Sequence, residues 1–282
     1  MHLLRRHLIG LLAGLAALVC AHAPAQTDEE VPFITSPDDV TLEMLRIAGV
    51  APGDHVIDLG SGDGRIVILA ARRFGATGLG VEIDPELVRK SMRHAREAGV
   101  AQRVTFREQD LFQTDLSAAS VITMYLLPQV NLQLRPALLA LKPGTRIVSR
   151  DWDMGDWRPD RTTVVPVQDK KVGLDKSSKV HLWVVPARVE GLWCGTGLLR
   201  EFSLQLSQLY QQVNGSLARR DRARAIEGRI DGATVRTQAT RHGSLVLALV
   251  GDELSITGGE GTLALARGAA FRRAADRGSC DG

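Results

Sequence analysis

The chain has 282 residues and is 44% hydrophobic, enough to bury the core of one large domain or two modest ones. Its formal net charge is only +3, with the basic residues scattered along the sequence. That is too mild and too scattered to argue for nucleic acid by itself, and no nucleic-acid partner is expected.

In chain order, Arg5 and Arg6 precede an apolar run, residues 8–20, and small-residue sites follow at Ala21-His22-Ala23 and Ala23-Pro24-Ala25. This is the pattern of a secretory signal peptide spanning residues 1–25 and cut after Ala25, which makes the mature protein secreted or periplasmic. The run is too short for a stable membrane span. The alternative, an uncleaved signal acting as a membrane anchor, leaves the domain on the same side of the membrane. Cys20 is preceded by Val19, not by the small residue of a lipoprotein site. Removal of the signal leaves Cys194 and Cys280, an even pair in an oxidising compartment, and an intrachain disulfide is expected. Two unrelated thiols are the alternative.

After a polar stretch comes Val31-Pro32-Phe33-Ile34-Thr35-Ser36-Pro37. Ser36 followed by Pro37, Asp38 and Asp39 predicts an N-cap and a helix running to about Ala48. Next, His55-Val56-Ile57-Asp58-Leu59-Gly60-Ser61-Gly62-Asp63-Gly64-Arg65 ends an apolar run in a glycine-punctuated turn, and an amphipathic run over residues 66–74 follows. A strand, a tight loop and a helix N-terminus are predicted, with backbone N–H groups aimed at a nucleotide-like ligand. The spacing is G-x-G-x-G rather than G-x-G-x-x-G, and Asp58 stands where an acid repels a pyrophosphate but accepts a cationic group. S-adenosylmethionine carries an amino group and a sulfonium and no phosphate. The next strand, residues 78–83, brings Glu82 to the place where this architecture puts a ribose-binding carboxylate.

Asp84 and Pro85 open a helix through Ala98, and a third strand delivers Asp110. A fourth ends at Met124-Tyr125-Leu126-Leu127-Pro128, a helix covers residues 130–141, and a fifth strand leads to Asp151-Trp152-Asp153. Residues 161–167 and 179–185 are expected to pair as a final hairpin. From residue 189 the pattern changes to short alternating runs. Asn214-Gly215, Asp231-Gly232 and Gly251-Asp252 read as hairpin turns of an antiparallel meander, curled or partly closed into a barrel. The expected organisation is a methyl-donor-binding domain over residues 26–188, a β domain over 189–272 and a flexible tail over 273–282. The β domain shows no catalytic constellation, His242 being isolated, and is assigned to substrate docking or stability.

The segment D-L-G-S-G-D-G-R, residues 58–65, resembles motif I of the Rossmann-like (class I) S-adenosylmethionine-dependent methyltransferases. The resemblance implies an α/β fold, a mostly parallel sheet with its last strand antiparallel, here followed by a small antiparallel β domain. It also implies S-adenosyl-L-methionine as cofactor, held by Asp58, Gly60, Ser61, Gly62 and Glu82, with Asp110 accepting from the adenine amine. Related enzymes lay a segment like Val31-Pro32-Phe33 over the cofactor, so Phe33 and Thr35 are candidate lid residues; a proline-rich entry to a packing helix is the other reading. Residues 32–160 resemble the small lysine methyltransferases that include the enzymes of the mitochondrial ATP synthase c subunit. The resemblance rests on Val31-Pro32-Phe33, the glycine turn, Tyr125-Leu126-Leu127-Pro128, Leu134-Arg135-Pro136 and Lys142-Pro143-Gly144-Thr145-Arg146-Ile147-Val148-Ser149. The turn after strand four lacks the N/D-P-P-[YF] motif of amino-group methylases of DNA, which argues against that substrate.

No metal is expected. Methyl transfer from a sulfonium is an in-line displacement in which positioning and exclusion of water are the main tasks. Tyr125 and Asp151 are the candidate catalytic residues, with Trp152 and Asp153 beside them; the tryptophans Trp152 and Trp157 also suit a covering of the core. The methyl acceptor is expected to be a protein, with lysine the sharper reading, or a small molecule. A non-catalytic module that retains the cofactor fold is the alternative from another class.

Overall fold

Five short strands form the centre of the molecule. In the computed structural model, which describes residues 36–168, 176–275 and 279–280, these are β1 (His55–Leu59), β2 (Thr77–Glu82), β3 (Val104–Glu108), β4 (Val121–Met124) and β5 (Arg146–Arg150). All five are parallel. β1 and β4 are buried along nearly their whole length, as expected of strands covered on both faces. The helices α1 (Asp38–Ile47), α2 (Arg65–Phe74), α3 (Pro85–Glu97) and α4 (Pro128–Leu139) supply the cover. β6 (Arg161–Pro166) and β7 (Ser177–Val184) complete a seven-stranded sheet of order β3-β2-β1-β4-β5-β7-β6, in which β7 runs antiparallel to both of its neighbours. The order reverses between β1 and β4, and a crevice opens at the carboxyl ends of strands at such a point. The expected signal segment, Phe33 and Thr35 lie outside the described residues.

Ser36 is not the cap of α1. Pro37 takes the N-cap position and no side chain caps the helix. The Ser36 hydroxyl instead accepts a hydrogen bond from Arg150 Nη1 at 3.0 Å, and its carbonyl accepts one from Arg65 Nη1 at 2.6 Å. Bonds from a guanidinium are stronger than one from a helix N–H, and Asp38 and Asp39 in the first turn already complement the helix dipole.

The remaining chain closes on itself. β8 (Gly191–Gly195), β9 (Phe202–Leu209), β10 (Gln212–Arg219), β11 (Arg222–Asp231), β12 (Thr234–Thr237), β13 (Leu245–Val250), β14 (Glu253–Gly259) and β15 (Ala270–Arg273) form a closed antiparallel barrel, sealed by β8 between β15 and β9. Trp193, Leu204, Leu206, Leu247, Leu254 and Phe271 fill its interior. Asp231-Gly232 and Gly251-Asp252 are turns as expected. Asn214-Gly215 is not: both residues lie inside β10, where a Cβ on Gly215 would come within 2.0 Å of the Gln205 carbonyl oxygen. The glycine serves strand contact. The turns on either side of β10 are made instead at Tyr210 and Arg220, whose φ angles are 53° and 54°, a conformation that costs a non-glycine residue about 1 kcal/mol. Tyr210 is compensated by its ring, stacked on Trp157 at 5.9 Å between centroids, and by its hydroxyl, which donates to Asp156 Oδ2 at 2.9 Å.

These contacts belong to the seam between barrel and sheet. Trp157 is fully buried there; its indole donates to Gln211 Oε1 at 2.9 Å, and its carbonyl accepts from Trp183 Nε1 at 2.8 Å. Gln211 donates in turn to Asp160 Oδ2 at 2.7 Å, and Arg229 pairs with the same carboxylate. On the far side of the barrel Cys194 and Cys280 are joined as a disulfide. Replacing Trp157 with alanine removes packing from both halves of the seam and is expected to destabilise the protein by about 3–5 kcal/mol. Urea denaturation checks this, and a loss under about 1 kcal/mol would show that the seam is not a shared core.

Candidate active site

Asp58, Glu82, Asp110, Tyr125 and Asp151 stand at or just beyond the carboxyl ends of β1, β2, β3, β4 and β5 respectively. The topology therefore collects residues spread over nearly a hundred positions along one edge of the sheet. Gly60 leaves β1 with φ +73°, and a Cβ on it would lie 3.0 Å from Leu126 Cδ2, so a side chain there would push against the residue that follows Tyr125. The Gly62 N–H donates to Glu82 Oε2 at 2.8 Å, while Glu82 Oε1 accepts from the N–H groups of Ile83 and Asp84 at 2.8 and 3.2 Å. The acid thus locks the glycine turn to the end of β2, and Oε2, which accepts one bond, still has lone-pair capacity for a ligand hydroxyl.

Asp58 is 2% exposed, and Thr123 Oγ1 donates to its Oδ1 at 2.7 Å. Burial pushes its carboxyl up to about 7, and the negative charges of Glu82 and Asp63 act in the same direction against the Thr123 bond. Such a group is short of one positive charge. Asp63 differs: burial also works against its ionised form, but two hydrogen bonds from Arg65 outweigh that and hold it below the usual carboxylate range. The Ser61 hydroxyl is buried without a hydrogen-bond partner and lies against the face of Gly80, where a Cβ would come within 2.7 Å of it. Asp110 caps a single 3₁₀ turn (Leu111–Gln113), accepting from Phe112 N at 2.8 Å and Gln113 Nε2 at 3.2 Å. Ile83, 72% exposed beside Glu82, offers an apolar surface that sequence reasoning missed.

At the ends of β4 and β5 the structure adds a residue that no motif marks. Arg150 is 2% exposed; Nε donates to Ser178 Oγ at 3.2 Å and lies 3.5 Å from Asp151 Oδ2, and the guanidinium rests 4.2 Å from the centroid of the Tyr125 ring. Asp151 takes φ 61°, and its Oδ1 accepts from Lys179 N at 2.9 Å. A non-glycine residue held in the left-handed region by its neighbours is a feature of functional sites. Burial raises the Tyr125 phenol above its ordinary value, with Asp151 adding to the shift and Arg150 opposing it, so the hydroxyl stays protonated at neutral pH. Asn131, on α4, donates to Ser149 Oγ and to the carbonyls of Trp152 and Asp153 at 3.2–3.3 Å, fixing the segment that carries the exposed Trp152. Trp157 belongs to the core. Among the described residues no cluster of His, Cys, Asp and Glu has the makings of a metal site.

A reversed β7 in a 3-2-1-4-5-7-6 sheet, a glycine turn pinned to an acid at the end of β2, and a buried carboxylate wanting a cation together define an S-adenosylmethionine-dependent methyltransferase. The comparisons with known proteins agree. The model of the ANTKMT methyltransferase domain matches residues 58–161. A protein-lysine N-methyltransferase of Saccharolobus islandicus is 40% identical over 157 residues, which cover 55% of this chain and 94% of that protein. The human lysine N-methyltransferase of the ATP synthase c subunit is 32% identical over 162 residues, covering 55% and 69%. An RNA methyltransferase from Salinibacter ruber, solved in complex with S-adenosyl-L-homocysteine, is 50% identical, with a TM-score of 0.50 and coverage of 55% of this chain and 96% of that one. The chain belongs to the family of the ANTKMT methyltransferase domain, and its cofactor is S-adenosylmethionine.

The residues present fit that cofactor: Asp58 suits its amino group, Glu82 the ribose hydroxyls, and Ile83 and Asp110 the adenine. Bound there, it supplies an electrophilic methyl group on a sulfonium. Because the folded protein holds a proton on Asp58 up to about pH 7 that the unfolded chain gives up near pH 4, stability without cofactor should fall as pH rises between those values. Affinity for the cationic cofactor should move the other way, weakening about tenfold for each pH unit below 7. Calorimetric titration across this range checks the slope; a flat profile for the wild type would refute it. At neutral pH, Asp58→Ala and Glu82→Ala are each expected to weaken binding by about tenfold or more.

Proposed function

We propose that the protein is an exported methyltransferase that transfers the methyl group of S-adenosylmethionine to lysine side chains of a protein. The observation that carries this reading is the 40% identity to a protein-lysine N-methyltransferase along 94% of that relative's length. The acceptor end of the crevice suits the chemistry. A lysine amine with pKa near 10.4 must lose its proton before it attacks. The positive charge of Arg150, buried beside Tyr125, and removal from water both favour the neutral amine. With one face of the Tyr125 ring covered by Arg150, aromatic contact to the lysine stem falls to Trp152. Asp151 balances Arg150 and keeps the end of β5 in place.

Export is supported by the amino-terminal sequence pattern and by the pairing of Cys194 with Cys280, since disulfides persist in oxidising compartments. The reaction then depends on cofactor supplied on that side of the membrane. RNA is a second reading of the acceptor, favoured by the 50% identity to the Salinibacter ruber RNA methyltransferase.

Labelled cofactor incubated with a cell extract separates the acceptors. Label should follow protein, survive ribonuclease and disappear after chemical blocking of lysines; label in RNA or small solutes would refute the lysine reading. Tyr125→Ala should lower kcat about a hundredfold with cofactor binding intact, and Asp151→Asn, which keeps a residue tolerant of positive φ, should retain more activity than Asp151→Ala. Export is checked by fractionating cells: a mature chain in the periplasm or medium that gains the mass of two hydrogens on reduction is expected, and a cytoplasmic, reduced chain of full length would defeat it.

A further inference from the structure

The end of the barrel remote from the seam is built unlike the rest of the surface. The β10–β11 turn presents Arg219, Arg220, Arg222 and Arg224, and the neighbouring β8–β9, β12–β13 and β14–β15 connections add Arg200, Arg241 and Arg267. Only Glu201, Asp221 and Glu260 oppose them on these connections, and Glu201 is engaged by Arg219 and Arg220 at 2.7 Å each. A chain whose net charge is only +3 thus concentrates its positive charge on one rim. That rim also carries Leu198 and Leu265, 95% and 89% exposed, the two most exposed large apolar side chains among the described residues.

The connections form one continuous face. Glu201 links the β8–β9 connection to the β10–β11 turn. Desolvation, and after it the charges of Arg224 and Arg241, disfavour protonation of His242 on the β12–β13 connection. His242 O accepts from Leu263 N and Thr262 Oγ1, and Thr196 N donates to Ala270 O, closing the ring. The leucines therefore project from neighbouring connections within a belt of arginines.

We infer that this rim docks on the surface of an anionic lipid bilayer, the leucines entering the headgroup boundary and the arginines meeting the phosphates. Arginine clusters draw a protein to negatively charged leaflets, and exposed apolar side chains at the same level add the area that holds it there. Single-stranded RNA would want stacking platforms, and the phenyl ring of Phe202 at this end is covered by Arg219 at 5.3 Å. The opposite end of the barrel abuts the methyltransferase sheet, so docking leaves the crevice clear of the bilayer. No part of the inference depends on which acceptor is methylated.

The test is flotation of the full chain with vesicles of phosphatidylcholine, with and without phosphatidylglycerol, for the wild type, an Arg222→Glu/Arg224→Glu/Arg241→Glu variant and a Leu198→Ser/Leu265→Ser variant. The apolar amino-terminal run is common to all three and cancels in the comparison. The wild type should favour the anionic vesicles, the arginine variant should lose at least about tenfold of that preference, and the leucine variant should bind both vesicle types more weakly. Unchanged cofactor binding confirms that the variants are folded. Equal flotation of wild type and folded variants, or no preference for anionic vesicles, would overturn the inference. So would a gel-shift in which the arginine variant loses RNA binding and keeps vesicle binding.

Discussion

Three carboxylates converge on one glycine turn, and only two of them have their charge accounted for. Asp63 is neutralised by Arg65 at the start of α2, and Glu82 is spent on three backbone N–H groups, one of them from the turn itself. Asp58 has a threonine hydroxyl and burial. In a low-dielectric setting that leaves a choice between holding a proton and holding a cation. The sheet cannot relieve the tension, because β1 is its central strand and the backbone there is paired on both sides. A ligand can, and the requirement for a positive group rather than a phosphate follows from this one unbalanced charge.

The same balance reaches the acceptor side through Ser36. Arg65, having neutralised Asp63, also donates to the Ser36 carbonyl, and Arg150 donates to the Ser36 hydroxyl while covering Tyr125. Residues at the start of α2 and at the end of β5 are thus joined by the segment that enters α1.

This explains what could be read in advance. The glycine turn, Glu82 and the acid ends of successive strands are local signals, repeated at the spacing of βα units, and they mark the family. Arg150 and Ser36 are far apart in sequence and marked by no motif; their meeting depends on β5 lying beside β4 and on α1 crossing behind them. Ser36 departs from its expected role for a related reason, because a serine before Pro-Asp-Asp is a good cap until a guanidinium from another strand takes its hydroxyl. The turns at Tyr210 and Arg220 were hidden because turn signals are glycine and asparagine, whereas here tertiary contacts, the Trp157 ring above all, hold a tyrosine in the left-handed region.

The barrel's place in the molecule follows from that last contact. The connection between β5 and β6 begins with Asp151 and Trp152 at the crevice and ends with Trp157 and Asp160 under the barrel. Between them Arg135 of α4 grips the Met154 carbonyl and pairs with Asp156, whose other oxygen receives the Tyr210 hydroxyl. A segment of ten residues is thereby fixed at one end by barrel side chains and at the other by Asn131 and Lys179. Acceptor-side geometry must be held closely for an in-line displacement. The relatives align with only 55% of this chain; the barrel adds a rigid backing to the connection between β5 and β6, whatever its outer rim binds.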